Sequence, residues 1–444
     1  MRVSVVGTGH VGLVTAACLA HIGHEVLGVD QDSAKIASIA AGRVPFFEPG
    51  LQEMVDEGLS SGRLRVSTDI ADAAHGRDVI FISVGTPSDA DGEPDLSQVD
   101  SVARMVGAAL DGYAVITEKS TVPIGTGMSV MGAIRAAAPA GVEFDVASNP
   151  EFLQEGKAIE GTLEPTRIVV GATSDRAVGV LQELYKPIVD ATGCPFIATD
   201  IGTAELVKHA SNAFLATKIS FINKVAEICE RTGADVGVVS AAMGLDPRIA
   251  PGFLQAGIGY GGACFPKDVA AFRYTAEQHG VDFALLEEVE RVNTDQRHRF
   301  VEKIRSAVGD IEAKTIAVWG LAFKPDTDDL RHAPGLVIAE RLLALKAVVS
   351  AYDPAAMEAA AGRLPHARMA SDPIDAARGA HCVAVCTEWS EFSGVDLHAL
   401  RDVMATPVMV DGRNAIDPTA AQEAGFLYLG TGRSMSVGPT EGEG

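Results

Sequence analysis

Val3-Ser4-Val5-Val6-Gly7-Thr8-Gly9-His10-Val11-Gly12 decides how the chain is read. Residues 2–6 are apolar and β-branched enough for a buried strand, and the three glycines follow without a spacer. Leu13 to His21 read as a helix that stops at Gly23, and Glu25 to Val29 as a second strand ending in Asp30. In that strand–turn–helix–strand setting each glycine has a job. Gly7 allows the tight turn, Gly9 lets the backbone approach a pyrophosphate, and Gly12 lets the helix pack on the strand. The helix start offers unpaired amides and partial positive charge to phosphates. Asp30 can accept hydrogen bonds from an adenosine ribose and would repel a 2′-phosphate, so the expected dinucleotide is NAD rather than NADP.

Outward from this turn the alternation continues. Asp78 to Ser83, Ala114 to Glu118 and Phe144 to Ser148 read as further strands of a parallel sheet with helical crossovers. They lead into turns carrying Thr86, Thr121 and Asn149-Pro150-Glu151-Phe152, which should line one crevice at the strand ends. Both threonines also suit an ordinary turn. Glu151 and Glu155, four apart, are expected on one face at the start of a helix. A second α/β unit opens with strand Thr315 to Trp319, followed by strands at 348–352, 382–386 and 408–410. It lacks the glycine pattern, so a second dinucleotide is not expected; Lys324, Arg331 and Arg413 fall at strand-end turns where they could grip a diphosphate.

Between the two units, residues 200–233 read as one helix spanning roughly 45 Å at ~1.5 Å per residue. Asp200 or Thr203 suits its cap. Lys208 and Asn212 lie four apart on one face, as a donor pair for an oxyanion or as surface residues whose stems cover apolar neighbours. Helices follow at 236–244, about 268–280 and 283–308. Between them stands Gly257-Ile258-Gly259-Tyr260-Gly261-Gly262-Ala263-Cys264-Phe265-Pro266-Lys267-Asp268. Four glycines in six positions free the backbone to approach a ligand, and they deliver one cysteine. Lys267 can favour its thiolate and Asp268 can accept a proton; a buried structural thiol is the alternative. The fold expected is α/β: two Rossmann-like doubly wound domains (1–199 and 311–434) joined by a long central helix and a helical middle domain (200–310), with a disordered tail at 435–444.

The chain has 444 residues, 47% hydrophobic and 21% charged, enough for two or three soluble domains. A net charge of −23 argues against nucleic-acid and anionic-membrane partners, though not against small anions in a local site. No apolar run reaches the ~20 residues of a membrane span, and with Met1-Arg2 running straight into the first strand no signal peptide is expected. The six cysteines show no metal-ligand spacing, so no metal is expected; Cys382 and Cys386 suit core packing. A reducing cytoplasmic setting is the expectation.

Three collinear segments carry a resemblance: the glycine turn, Glu205-Leu206-Val207-Lys208-His209-Ala210-Ser211-Asn212-Ala213-Phe214, and the cysteine loop. Together they resemble the UDP-glucose/GDP-mannose dehydrogenase family over residues 1 to about 434. The resemblance implies oxidation of a nucleotide sugar's C6 alcohol to a carboxylate, reducing two NAD. It makes Cys264 the nucleophile, Lys208 and Asn212 oxyanion donors, and Asp268 the acid activating water with Thr121 and Glu151. It places Val11, Asp30, Lys35, Thr86, Thr121, Glu155, Lys267 and Arg331 against NAD, beside Gly7, Gly9 and Gly12. It places Glu151, Phe152, Leu153, Glu155, Lys208, Asn212, Phe253, Leu254, Gln255, Ala256, Gly257, Gly261, Lys324 and Arg413 against the sugar nucleotide, with Arg248 reaching the partner's substrate across a homodimer. Ser120 to Thr126 and Asp411 to Asn414 resemble the glucose branch, so UDP-glucose is expected, with GDP-mannose or a UDP-N-acetylhexosamine as the alternative. A two-electron hydroxyacid dehydrogenase and a non-catalytic NAD sensor are the rival classes; neither needs the cysteine.

Overall fold

A computed structural model describes residues 1–89 and 92–433; the expected tail at 435–444 lies outside the described residues. The chain gathers into two compact units, Met1–Ser211 with Ala270–Val281, and Asn212–Val269 with Asp282 onward.

The first unit is built on β1 (Arg2–Val6), β2 (Glu25–Val29), β3 (Leu64–Ser67), β4 (Val79–Ile82), β5 (Ala114–Glu118), β6 (Phe144–Ser148), β7 (Ile168–Ala172) and β8 (Phe196–Thr199), in the spatial order 3-2-1-4-5-6-7-8. Every residue of β4 and β5 is buried, which is why β4 is an unbroken apolar run and β5 is apolar until Thr117 and Glu118 at its end. Helices cover both faces and two apolar cores form, one around Val5, Leu13 and Phe81, the other around Ile80, Ile116 and Val106. The sheet is not wholly parallel as expected: β7 runs antiparallel to β6, and β8 is parallel to β7. The expected helix at 151–155 is also absent. The chain stays irregular through Glu151 and turns at Gly156 (φ 79°) before a helix at Ala158–Leu163. The Glu151 carboxylate accepts from the Leu153 amide at 2.6 Å, closing a local turn in place of the first helical turn.

The second unit carries β9 (Thr315–Trp319), β10 (Val348–Tyr352), β11 (Arg368–Met369), β12 (Cys382–Val385), β13 (Val408–Asp411) and β14 (Leu427–Gly430), all parallel, in the order 11-10-9-12-13-14. Counted from its own first strand, that is the winding of the first unit's opening six. Cys382 and Cys386 are both buried, and burial pushes the Cys382 thiol up to about 12, so they serve packing. The long helix runs Ile201–Thr232, with Asp200 Oδ1 accepting the Thr203 amide at 2.9 Å as its cap. No helix among the described residues is long and apolar enough to cross a membrane.

Candidate active site

In the dinucleotide turn, a Cβ on Gly12 would lie 1.8 Å from the Gly7 carbonyl oxygen, so helix and strand approach as only glycine allows. Nothing lies within 4 Å of a Cβ built on Gly9, and no side chain caps the helix His10–His21. An open cradle with uncapped first-turn amides fits a pyrophosphate. Asp30 is anchored at the end of β2. Its Oδ2 accepts from the Thr8 amide (2.9 Å), Thr8 Oγ1 (3.0 Å) and Lys35 Nζ (2.8 Å), and Oδ1 from the Asp32 amide (3.0 Å). Burial pushes this carboxyl up, but those hydrogen bonds outweigh it and hold it below the ordinary carboxylate range. A fixed negative charge there suits a ribose diol and opposes a 2′-phosphate.

The same unit gathers its polar residues at the strand ends. Thr86 Oγ1 donates to the Thr121 carbonyl at 2.9 Å, joining two turns expected to line the crevice. Lys208 Nζ meets Glu151 Oε1 at 2.8 Å, with both side chains buried. The Phe152 ring carries the Arg167 guanidinium at 3.9 Å and lies 5.6 Å from Lys208 Nζ. One member escaped the sequence: Lys119, buried, donates to Asn149 Oδ1 at 3.1 Å, and Tyr185 donates to the same oxygen at 2.5 Å. Burial lowers the Lys119 ammonium to about 8, against the pull of Glu151. Lys119 was visible only as one residue of a turn, because nothing local marks a lysine for burial.

In the second unit the cysteine stands at a helix start. The helix expected from 268 begins at Phe265, and the Cys264 carbonyl accepts its first bond from the Asp268 amide at 2.8 Å. Pro266, with φ already helical and no amide to satisfy, favours that earlier start. Cys264 is partly exposed, at the end of the helix where amides and dipole favour an anion. One turn on, buried Asp268 accepts from Asn212 Nδ2 at 2.6 Å and pairs with Lys267 Nζ at 2.9 Å. Two asparagines unmarked by the sequence hold the glycine loop: Asn223 Oδ1 accepts the Gly257 amide (2.8 Å), and Asn293 clamps Tyr260 through its amide (2.7 Å) and carbonyl (3.1 Å). Leu254 and Ala256 are buried beside Ile222 and Ala226, whereas Gln255 is exposed. Gly261 is buried, with the His332 carbonyl oxygen 2.4 Å from where its Cβ would lie. Phe253 adopts φ 63° and its ring meets that of Phe265.

The cationic candidates are held locally. Arg413 Nε donates to the Cys386 carbonyl at 3.0 Å, Arg331 forms a fork on Asp329, and Lys324 Nζ lies 5.6 Å from the Phe323 ring. Arg248 is exposed and pairs with Asp246. At the turn after β9, Asp353 at the end of β10 accepts both the Leu321 and Ala322 amides at 2.8 and 3.0 Å, where Asp30 takes only the Thr8 amide of its turn.

An uncapped glycine turn with a charged aspartate at the next strand end defines an NAD-binding α/β oxidoreductase. The chain belongs to the UDP-glucose/GDP-mannose dehydrogenase family: residues 1–189 match its NAD binding domain, 202–295 its central domain and 317–418 its UDP binding domain. It is 44% identical over 437 residues to a UDP-glucose 6-dehydrogenase of Rhizobium meliloti (strain 1021), covering 98% of this chain and 100% of that one. It is 43% identical to one of Bacillus subtilis (strain 168), covering 97% and 93%. A solved UDP-glucose dehydrogenase from the hyperthermophilic archaeon Pyrobaculum islandicum, 40% identical, superposes with a TM-score of 0.90 over 97% of this chain and 98% of that one.

Proposed function

We propose that the chain oxidises UDP-glucose at C6 to UDP-glucuronate, with Cys264 holding the carbon between two hydride removals. The observation that carries this reading is Cys264 at the start of a helix whose next turn sets Asp268 on Asn212, in a chain 43–44% identical to UDP-glucose 6-dehydrogenases over nearly its whole length. NAD, when bound, accepts the hydride at each oxidation. The C6 alcohol loses a proton and a hydride to become an aldehyde. The Cys264 sulfur adds to that carbonyl carbon, giving a thiohemiacetal that can lose hydride again. The resulting thioester is cleaved by water, releasing the carboxylate and the thiol. The net balance is one alcohol, one water and two NAD to one carboxylate, two NADH and three protons.

Lys208, paired with Glu151 at 2.8 Å, and the Asn212 amide stabilise the oxyanion at each stage. Asp268 takes the proton of the attacking water, with Thr121 and Glu151 ordering that water. Gly7, Gly9, Val11, Gly12, Asp30, Lys35, Thr86, Glu155, Lys267 and Arg331 hold NAD. Phe152, Leu153, Phe253 to Gly257, Gly261, Lys324 and Arg413 hold the sugar nucleotide. The working division is 1–199 for cofactor, 200–310 for the cysteine loop and dimerisation, and 311–434 for the nucleotide. The enzyme acts in the cytoplasm as a homodimer in which Arg248 reaches the partner's substrate.

With limiting UDP-glucose the expected yield is two NADH per sugar; one per sugar overturns the covalent reading and indicates a two-electron enzyme. Cys264→Ser is expected to stop turnover or to hold an ester visible as an intact-mass increase, and full activity in that variant sinks the nucleophile assignment. GDP-mannose and UDP-N-acetylhexosamines, run beside UDP-glucose, are expected to give much lower kcat/KM.

A further inference from the structure

Outside the groups already given roles, one buried carboxylate joins two segments of the first unit that are far apart in sequence. Glu48, in Phe46-Phe47-Glu48-Pro49-Gly50, has a fully buried side chain. Its Oε2 accepts from His10 Nε2 at 2.8 Å and from the Gly156 amide at 2.7 Å, and its Oε1 from the Ala158 amide at 2.7 Å. His10 is the first residue of the helix that follows Gly9, and its ring is stacked on Phe46 at 4.4 Å. Gly156 and Ala158 close the turn that follows Glu151 and Glu155. That helix, Ala158–Leu163, has no side-chain cap of its own from Lys157, so the carboxylate from residue 48 does that work.

We propose that Glu48 is a positioning residue that fastens the dinucleotide turn to the acidic turn 151–156, so that NAD affinity and sugar affinity depend on one shared anchor. The inference rests on the functional reading above in taking 151–155 as a substrate and cofactor turn. The physics is that of a buried charge-assisted network. The Glu48 carboxylate itself has no water to turn to, so it depends on these three donors, and releasing one loosens the backbone that carries it. His10 itself carries no step of the chemistry; it transmits the anchor to the amides that face the pyrophosphate.

The test is a double-mutant cycle on the full-length protein. His10→Leu removes the donor, His10→Gln keeps an N–H there, and Glu48→Gln leaves one acceptor where three donors converge. The readouts are the NAD Kd by calorimetry, the KM and kcat for UDP-glucose, and Tm. His10→Leu is expected to weaken NAD about tenfold, the scale of one hydrogen bond to a buried charge, and to raise the UDP-glucose KM although it touches no sugar. His10→Gln is expected to restore both. Glu48→Gln is expected to reproduce the defects, with the double variant no worse than Glu48→Gln alone. Unchanged NAD affinity in His10→Leu, additive effects in the double variant, or a shifted NAD Kd without a shifted sugar KM overturns the proposal. If Glu48→Gln does not fold, the His10→Leu and His10→Gln pair decides by itself. Wild-type turnover is measured in the same preparation: failure to oxidise UDP-glucose sinks the functional reading, while NAD calorimetry still decides whether His10 and Glu48 act together.

Discussion

At the scale of single residues, the molecule treats its buried charges in two ways. Lys208 and Glu151 are buried together at 2.8 Å, and such a pair contributes little net stability because desolvation offsets the attraction. Its value is positional: the carboxylate holds Lys208 Nζ in one place. Glu118 has no such partner: Oε1 accepts the Ser120 amide at 3.0 Å, while Oε2 is buried without a hydrogen bond among the described residues. Burial raises its carboxyl from 4.5 to about 8, against the Ser120 bonds and with some help from Glu205. Between those two values the folded chain keeps a proton that the unfolded chain has lost. Stability from this group is therefore full below 4.5 and declines as pH rises toward 8. Glu118→Gln, neutral throughout, is expected to gain in Tm over the wild type as pH goes from 6 to 9 in scanning fluorimetry. A Tm difference that stays constant over that range removes Glu118 as the source. None of this was legible beforehand. The sequence marked Lys208, Asn212, Cys264 and Asp268 because they sit in dense motifs. It marked neither Lys119, Glu48, Asn223 nor Asn293, whose partners lie 30 or more residues away and obey no local period.

At the scale of elements, what could be read was what local chemistry settles alone. β1, β2, β5, β6, β9 and β10 occupy the residues expected, because a β-branched run ending in a turn has one local solution. β3, β7, β8, β11 and β14 went unread: β3, β8 and β11 are short and partly exposed and take their strand character from a neighbour's ladder, whereas β7 is a buried Ile-Val-Val run with the local signal present. The same limit explains the missing helix after Pro150 and the early start at Phe265. The cysteine loop is the element where backbone geometry is most demanding. Gly259 sits at φ 94°, and an added Cβ would lie 2.4 Å from Asn293 Oδ1, the atom that accepts the Tyr260 amide. Gly259→Ala therefore combines a left-handed backbone strain of about 1–3 kcal/mol with the loss of the Asn293 clamp. It is expected to lower both Tm and kcat, with NAD affinity, set by the turn at 7–12 and Asp30, unchanged. Wild-type kcat and Tm in that variant contradict the clamp.

At the scale of the whole chain, one winding order is used twice for different ends. The close approach of Gly12 to the Gly7 carbonyl at 1.8 Å recurs as Gly335 against the Gly320 carbonyl at 2.2 Å, yet in the second unit Asp353 consumes the turn amides. The two turns differ in degree: Asp353 takes two amides of its turn where Asp30 takes one, that of Thr8. The remaining large feature is the outer stripe of the helix Ile201–Thr232. Phe214, Phe221 and Ile228 recur every seven residues and are 65%, 53% and 61% exposed. Seven residues are nearly two turns, so the three side chains form one apolar line on a single face. In a chain of net charge −23, such a line is where a second copy would be held, since scattered like charges elsewhere oppose association. Light scattering is expected to give twice the chain mass for the wild type, and one chain mass for the double variant Phe214→Glu with Phe221→Glu. That variant should also lose activity on UDP-glucose, because Arg248 would no longer meet a partner's substrate, while its NAD affinity holds. A monomeric wild type, or a double variant that remains dimeric, places the assembly surface elsewhere and removes Arg248 from the substrate contacts.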